Sequence, residues 1–315
     1  MNLIRRFCAA AVPAILIIAQ SGIPSAAAAD PEVSMQAAPD DHQIHISISG
    51  KPFATFNSAP DLPKPFLLPV RTAEGVVINR ALDDESDKDH PHHKGLWVSV
   101  DEVNGLRYWN EDAPISTLSA RVIRSGPEVG ILETVNQWRH PETEEVQLTE
   151  TTTIAVYPDR VLAYDILLTA SHRPVVFEDT KEGLLGFRLA PSMKERNGGR
   201  IEASDGTKTE ANCWGQTYPW IDYVGEVDGH TAGIALMDHP GNLRSSRYHV
   251  RSYGLFAINP FGESAYTKGQ NDAAPVHLQP GESLRLRYGV YIHDGDTQKA
   301  DVAAAYQRFL SRTEQ

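Results

Sequence analysis

Three of the chain's 12 histidines fall within four positions, in Asp89-His90-Pro91-His92-His93-Lys94-Gly95-Leu96-Trp97. Neutral imidazole is both a proton shuttle near neutral pH and the commonest protein metal ligand, so either chemistry can start here. On extended backbone His90 and His92 share one face and His93 takes the other. Pro91 removes a donor and biases His90 toward extended geometry. Three ligands this close cannot all reach one ion from a regular strand. A divalent metal on His90, His92 and His93 would therefore need Glu178, Glu182 or His249 to complete its shell. The plainer alternative is a solvated turn.

Three further segments carry reactive side chains. Phe177 to Gly183 sets Glu178, Asp179 and Glu182 beside Lys181 at a strand end. Clustered carboxylates push one another's pKa apart, the way one becomes an acid and another a base. Asn212 to Tyr223 holds Trp214, Tyr218, Trp220 and Tyr223 with Asp222 among them. Flat rings stack on the C–H faces of pyranoses while Asp222 and Gln216 take hydroxyls. Core aromatics at a sheet corner are the competing explanation, and Cys213 reads as a buried small residue. The last segment runs from Asp238 through His239, Asn242 and Arg244 to His249, Arg251 and Asn259. His249 and Arg251 are two apart, which on a strand puts a proton carrier beside a fixed cation. Trp97, Tyr223, His239, Asn242, Arg244 and Asn259 complete the set of candidate substrate contacts.

These segments sit between strands. Ile44, Ile46 and Ile48 alternate with polar residues, and Phe53 to Phe56 is the expected hairpin partner. The prolines of residues 60–69 predict a loop or edge segment. Residues 118–169 read as an antiparallel meander, with strands at 121–125, 130–138, 146–157 and 161–169 separated by turn residues. Strands are also expected at 175–177, 183–189, 233–237, 252–258 and 284–292. Only the C-terminus reads as helix, with Val302, Tyr306, Phe309 and Leu310 on one face after a cap at Asp296-Thr297. Strands joined by turns predict an all-β fold, a large antiparallel two-sheet sandwich with a C-terminal helix.

Composition narrows the function. Residues 1–29 carry Arg5 and Arg6, an apolar run and Ala27-Ala28-Ala29, the pattern of a signal peptide, so the mature protein is expected to be periplasmic or secreted. Residues 30–41 read as a flexible leader and 42–315 as a single β-sandwich domain. After cleavage one cysteine remains, so the core must hold the fold without a disulfide. A formal net charge of −12 argues against nucleic acid and anionic lipid. No stretch reads as a membrane span. The chain also lacks a G-x-S-x-G elbow, a phosphate loop, a dinucleotide fingerprint and an H-E-x-x-H pair.

The motifs D-H-P-H-H-K-G-L-W, E-D-T-K-E-G-L-L-G-F-R, W-I-D-Y-V-G, D-H-P-G-N-L-R and Y-H-V-R-S-Y-G-L-F-A-I-N-P-F-G, taken in order, resemble the PmoA-like family of secreted bacterial proteins. That family borrows its name from a membrane subunit of a methane oxygenase, an activity this chain does not support. The resemblance weighs against accident at His92, Glu182, Asp222, His249 and Arg251. By analogy of fold alone, the predicted sandwich is similar to the galactose-mutarotase-like supersandwich.

The expectation that follows is an exported carbohydrate-active enzyme, a glycoside hydrolase, lyase or epimerase acting on a small-molecule or oligosaccharide substrate. His92 or His93 and His249 would carry protons, and Glu178 or Glu182 would be the carboxylate partner. Arg251 and Lys181 would stabilise charge, with Trp214, Trp220 and Asp222 on the sugar. A metal-dependent oxidase or oxygenase built on the histidines and a non-catalytic glycan-binding module are the alternatives.

Overall fold

A computed structural model describes residues 32–314, apart from residue 86. The targeting segment read at residues 1–29 lies outside the described residues. The chain first lays down β1 (Val33–Ala38), β2 (Gln43–Ile48), β3 (Lys51–Asn57), β4 (Phe66–Val70) and β5 (Leu96–Val98). The meander follows as β6 (Ile115–Arg124), β7 (Gly130–Arg139), β8 (Val146–Val156) and β9 (Val161–Thr169). Next come β10 (Val175–Phe177), β11 (Leu185–Arg188), β12 (Arg200–Ala203) and the short helix α1 (Glu210–Cys213). Strands β13 (Trp220–Val227), β14 (His230–Asp238), β15 (Arg247–Val250) and β16 (Leu255–Asn259) precede α2 (Glu263–Thr267). Last are β17 (Val276–Leu278), β18 (Ser283–Asp294) and α3 (Val302–Thr313).

Two eight-stranded antiparallel sheets result, ordered β1-β2-β3-β4-β5-β11-β16-β15 and β12-β13-β14-β18-β9-β8-β7-β6, with a small β10-β17 pair beside them. Their inner faces share one apolar core that includes Ile44, Ile46, Phe187, Phe256, Ile234 and Val290. The expected all-β sandwich with a C-terminal helix is therefore present. Helix α3 packs Val302, Ala305 and Phe309 on the outer face of the second sheet, against Val161, Trp220, Ala235 and Met237. Gly289 makes room for it, since a Cβ there would lie 2.8 Å from the Phe309 ring. Among the described residues no helix is long and apolar enough to cross a membrane.

Several local expectations need correction. The segment read as a leader carries β1, which pairs with β2 from Val33↔Ile48 to Ala38↔Gln43 and buries Val33 and Met35. The proline-rich stretch ends in an interior strand. Residue Pro69 is tolerated in β4 because β5 pairs only with Phe66 and Leu67, leaving no neighbour to ask for its missing N–H. Asp301, not Asp296-Thr297, caps α3, its carboxylate accepting from Ala304 N at 3.1 Å. Strands β12, β13, β15 and β17 carry too little alternation, or too much aromatic content, to stand out in the sequence.

Candidate active site

Strand parity decides where the reactive residues go. In the first sheet Leu96, Val98, Leu185, Phe187, Tyr248, Val250, Phe256 and Ile258 point inward to the core. The residues between them point outward. A row therefore crosses the outer face in register, Trp97↔Gly186↔Ala257↔His249. Gly186 and Ala257 keep its middle low, and a Cβ on Gly186 would meet Trp97 and Trp109 at 2.7 Å. Loops carrying His90–His93, Arg107–Asn110 and Lys181–Glu182 fold over this face. They enclose a cleft of about 390 Å³ lined by those residues with His249, Arg251 and Tyr253.

The histidine loop has little regular structure and is held by ionic side chains instead. Arg80 donates to the carbonyls of Asp87, Asp89, His90 and His93 at 2.6–3.0 Å. Arg188, fully buried on β11, pairs with Asp87 at 3.1 Å and with Asp89. Lys194 reaches Asp87 from the other side at 2.6 Å. Burial opposes charge on Asp87, yet hydrogen bonds from Lys194 and Arg188 overcome it and hold its carboxyl at about 2. Tyr253 stacks on His90 with ring centres 5.0 Å apart, and His90 stacks in turn on His93 at 4.8 Å.

That stacking bears on whether the three histidines can share one ion. The His90 and His93 rings are within 5° of parallel and His92 stands edge-on to both. Nitrogens in parallel stacked planes do not converge on one ion. Among the described residues no three His, Cys, Asp or Glu side chains are arranged to hold a metal. The ligand set His90, His92 and His93 is thus not assembled.

The protonation states separate the histidines. His93 is 2 % exposed, accepts from Arg188 Nη1 at 3.3 Å through Nδ1, and is held far below the ordinary range by burial. It is a neutral wall residue rather than a proton carrier. His92 is half-buried and lowered to about 4, first by burial and then by the charge of Lys64. Lys64 is itself buried and brought down to about 8, burial outweighing its ion pair with Glu111 at 2.9 Å. His249 is also lowered to about 4 by burial. Its Nδ1 donates to the Lys181 carbonyl at 3.0 Å, which leaves the lone pair on Nε2.

Glu182 Oε2 lies 3.6 Å from that Nδ1, and Oε1 pairs with Lys181 at 2.6 Å. Burial would raise the Glu182 carboxyl, but His249 and the Lys181 ammonium hold it below its ordinary value. Its loop is pinned by Asn259 Nδ2 on the Thr180 carbonyl at 2.8 Å and by the Tyr266 hydroxyl on the Lys181 carbonyl at 2.6 Å. Asp101, whose N–H donates to the Glu182 carbonyl at 2.9 Å, holds Arg107 through Nε at 3.2 Å and the backbone N–H of Asn110 at 3.1 Å. At neutral pH the cleft thus presents an ionised carboxylate, three neutral imidazoles (His92, His93 and His249) and three cations.

Of the residues expected from sequence, His92, His93, Lys181, Glu182, His249 and Arg251 do come together. Glu178 does not line the cleft, and Asp179 is spent on the backbone of α2, accepting from Ser264 N and Ala265 N. Trp97 lies under His93 with 1 % exposure, a floor rather than a ligand contact. Trp220 is buried beneath α3. Asp222 is fully buried, bonded to His293 Nε2 at 3.0 Å on the second sheet. Tyr223 is buried as well, its hydroxyl donating to the Arg251 carbonyl at 3.2 Å, so it supports the site from below. His239 packs on Phe309, Asn242 bridges Asp238 of β14 to the Arg287 backbone of β18, and Arg244 binds the Ala274 carbonyl. None of these three lines the cleft. Asn259 positions a loop and is too buried to meet a ligand. Trp214 and Tyr218 are the half-buried rings of that segment; Tyr218 lines a separate cavity, while Trp214 packs against Tyr266 and lies 6.1 Å from the His249 ring.

The sequence reading missed Arg107, Asn110 and Tyr253 in the cleft and Arg80, Arg188 and Lys64 behind it. Only the Asn104-Gly105 turn ahead of Arg107 hinted at a loop there. The arginines looked like ordinary strand-end charges.

Over residues 43–307 the chain matches the model of a family of unknown function, DUF6807. This overturns the resemblance to the PmoA-like family, to which nothing links the chain. No curated protein matches it. Among solved structures it is similar to galactose 1-epimerase from Lactobacillus acidophilus, at 8 % identity and TM-score 0.42, covering 84 % of this chain and 100 % of that one. The GalM/aldose epimerase homologue from C. elegans is similar at 11 % identity and TM-score 0.35, covering 81 % and 97 %. GH36 α-galactosidase AgaA from Geobacillus stearothermophilus gives 11 % and 0.40, covering 80 % of this chain and 40 % of that one. The chain thus spans about two fifths of the glycosidase's length. Likenesses this distant carry no functional argument, which stays with the side chains.

Proposed function

We propose that this chain, which belongs to the DUF6807 family, is an enzyme that transfers protons on a sugar. The observation that carries the reading is the charge pattern of the cleft, with an ionised Glu182 beside a neutral His249 and a second neutral histidine, His92, on the same wall. Glu182 serves as the base. It takes the proton from the sugar carbon and, once protonated, gives it back. His249 positions the Glu182 loop through the Lys181 carbonyl. Neutral His92 donates an N–H hydrogen bond to a sugar oxygen without giving up that proton. Arg251 and Lys181 stabilise the negative charge that develops on the sugar when the proton leaves.

The same lining favours epimerase or lyase chemistry over two-carboxylate glycoside hydrolysis. Among the described residues Glu182 is the single Asp or Glu lining this cleft, whereas hydrolysis uses two carboxyl groups about 5–9.5 Å apart across the scissile bond. We further propose that the chain is exported by its N-terminal segment, which N-terminal sequencing of the protein recovered outside the cytoplasm would test.

The functional test is an NMR time course in D₂O on a panel of neutral and uronic-acid saccharides. Wild-type protein is expected to convert one of them, or to exchange one of its C–H protons, and Glu182→Gln is expected to do neither. Saccharide binding with no conversion or exchange by wild type would make the protein a glycan-binding module and overturn the proposal.

A further inference from the structure

Arg251 lines two cavities. One is the histidine cleft. The other, about 690 Å³, lies on its far side and contains Glu195, Glu210, Thr209 and Trp214 among its walls. Among the described residues neither a histidine nor Glu182 lines it, so apart from Arg251 it shares nothing with the proton-transfer set. It does hold the features of a sugar-binding surface. Trp214 offers a half-exposed indole whose buried Nε1 has no protein partner among the described residues. Glu210 accepts from Ser252 N at 2.7 Å and pairs with Arg251 Nε at 2.6 Å. Glu195 is oriented by the Glu210 N–H, 3.2 Å from each of its oxygens. Fixed carboxylates beside a flat ring are suited to hydroxyls rather than to a second reaction.

The backbone points the same way. Thr209 sits at φ 77°, ψ 154°, a region that a β-branched residue almost never adopts. It forms the wall of this cavity at the start of α1, where relaxing it would move Glu210 and Trp214.

We propose that the cavity beyond Arg251 is a second subsite of the same cleft, and that the substrate is an oligosaccharide laid across Arg251 rather than a free monosaccharide. One unit occupies the histidine cleft, where protons move. The next stacks on Trp214 and gives hydroxyls to Glu195 and Glu210. This inference rests on the carbohydrate reading above and specifies its substrate class.

Calorimetry on the Glu182→Gln protein tests it, comparing cellobiose, xylobiose, galactobiose and digalacturonate with glucose, xylose, galactose and galacturonate. One disaccharide is expected to bind at least tenfold tighter than its monosaccharide, about 1.4 kcal/mol. Adding Ala211→Trp, which places an indole into the cavity from an exposed position on α1, should collapse that ratio toward one. Trp214→Ala should do the same by removing the platform, so the test does not hang on one variant. Equal binding of mono- and disaccharides would overturn the second subsite and leave the carbohydrate reading standing. A ratio that survives both variants would place the second unit elsewhere and overturn it too. If no saccharide of either length binds, both proposals fall.

Discussion

At the scale of single residues, environment rather than residue type assigns the roles. Four histidines meet at one cleft, yet burial makes His93 a spacer and His249 an orienting group, while half-buried His92 lines the cavity. Glu182→Gln removes the carboxylate that, among the described residues, alone lines that cleft, while keeping its shape. Turnover should fall on the order of 10²–10⁴-fold with KM little changed, as measured by steady-state kinetics on the active saccharide. His249→Asn should cost less. The lost orientation should appear as a shifted acid limb in the pH profile, a readout that a purely structural role would not move.

At the scale of elements, the regular strands were legible in sequence and the machinery that places the loops was not. The meander β6–β9 shows as alternation between turn residues, because each strand has one face in the core and one outside. His249 and Arg251 could be put on one face for the same reason. Trp220, Asp222 and Tyr223 were misread because an aromatic-rich strand buried on both faces looks, in one dimension, like the lining of a site. The histidine loop depends on Arg80, whose four carbonyl contacts span Asp87 to His93, a pattern no local spacing announces. Arg80→Ala should therefore destabilise the protein by about 3–5 kcal/mol in denaturant melts, since it leaves four loop carbonyls without their donor while Asp87 keeps Arg188 and Lys194. Hydrogen exchange should rise first in residues 87–95. Arg80→Lys should rescue little, because one ammonium cannot span what a planar guanidinium does.

At the scale of the whole molecule, two sheets share one core and α3 seals the outer face of the second. Phe309→Ala empties a fully buried site against Gly289 and should cost about 3–5 kcal/mol of stability. The cleft lies on the other sheet, so its chemistry should survive at temperatures where this variant remains folded. Acid should weaken the fold through the groups that serve the site. His249 is lowered from 6.5 to about 4 when folded. The unfolded chain therefore takes up its proton first as pH falls below 6.5, and stability drops by about 1.4 kcal/mol per pH unit from this group until about 4. Buried Glu150 and Asp238, whose carboxyls are raised by burial, act in the opposite sense. The His249→Gln difference in denaturant melts isolates the histidine's share.

The central claim, that an ionised Glu182 works beside histidines already neutral, is tested most directly by kcat/KM against pH on the active saccharide. The account predicts a rate that is flat through neutrality and falls only as pH approaches about 4, where His92 and His249 take up protons. An acid limb centred at 6.5, the value of an ordinary histidine, would contradict it.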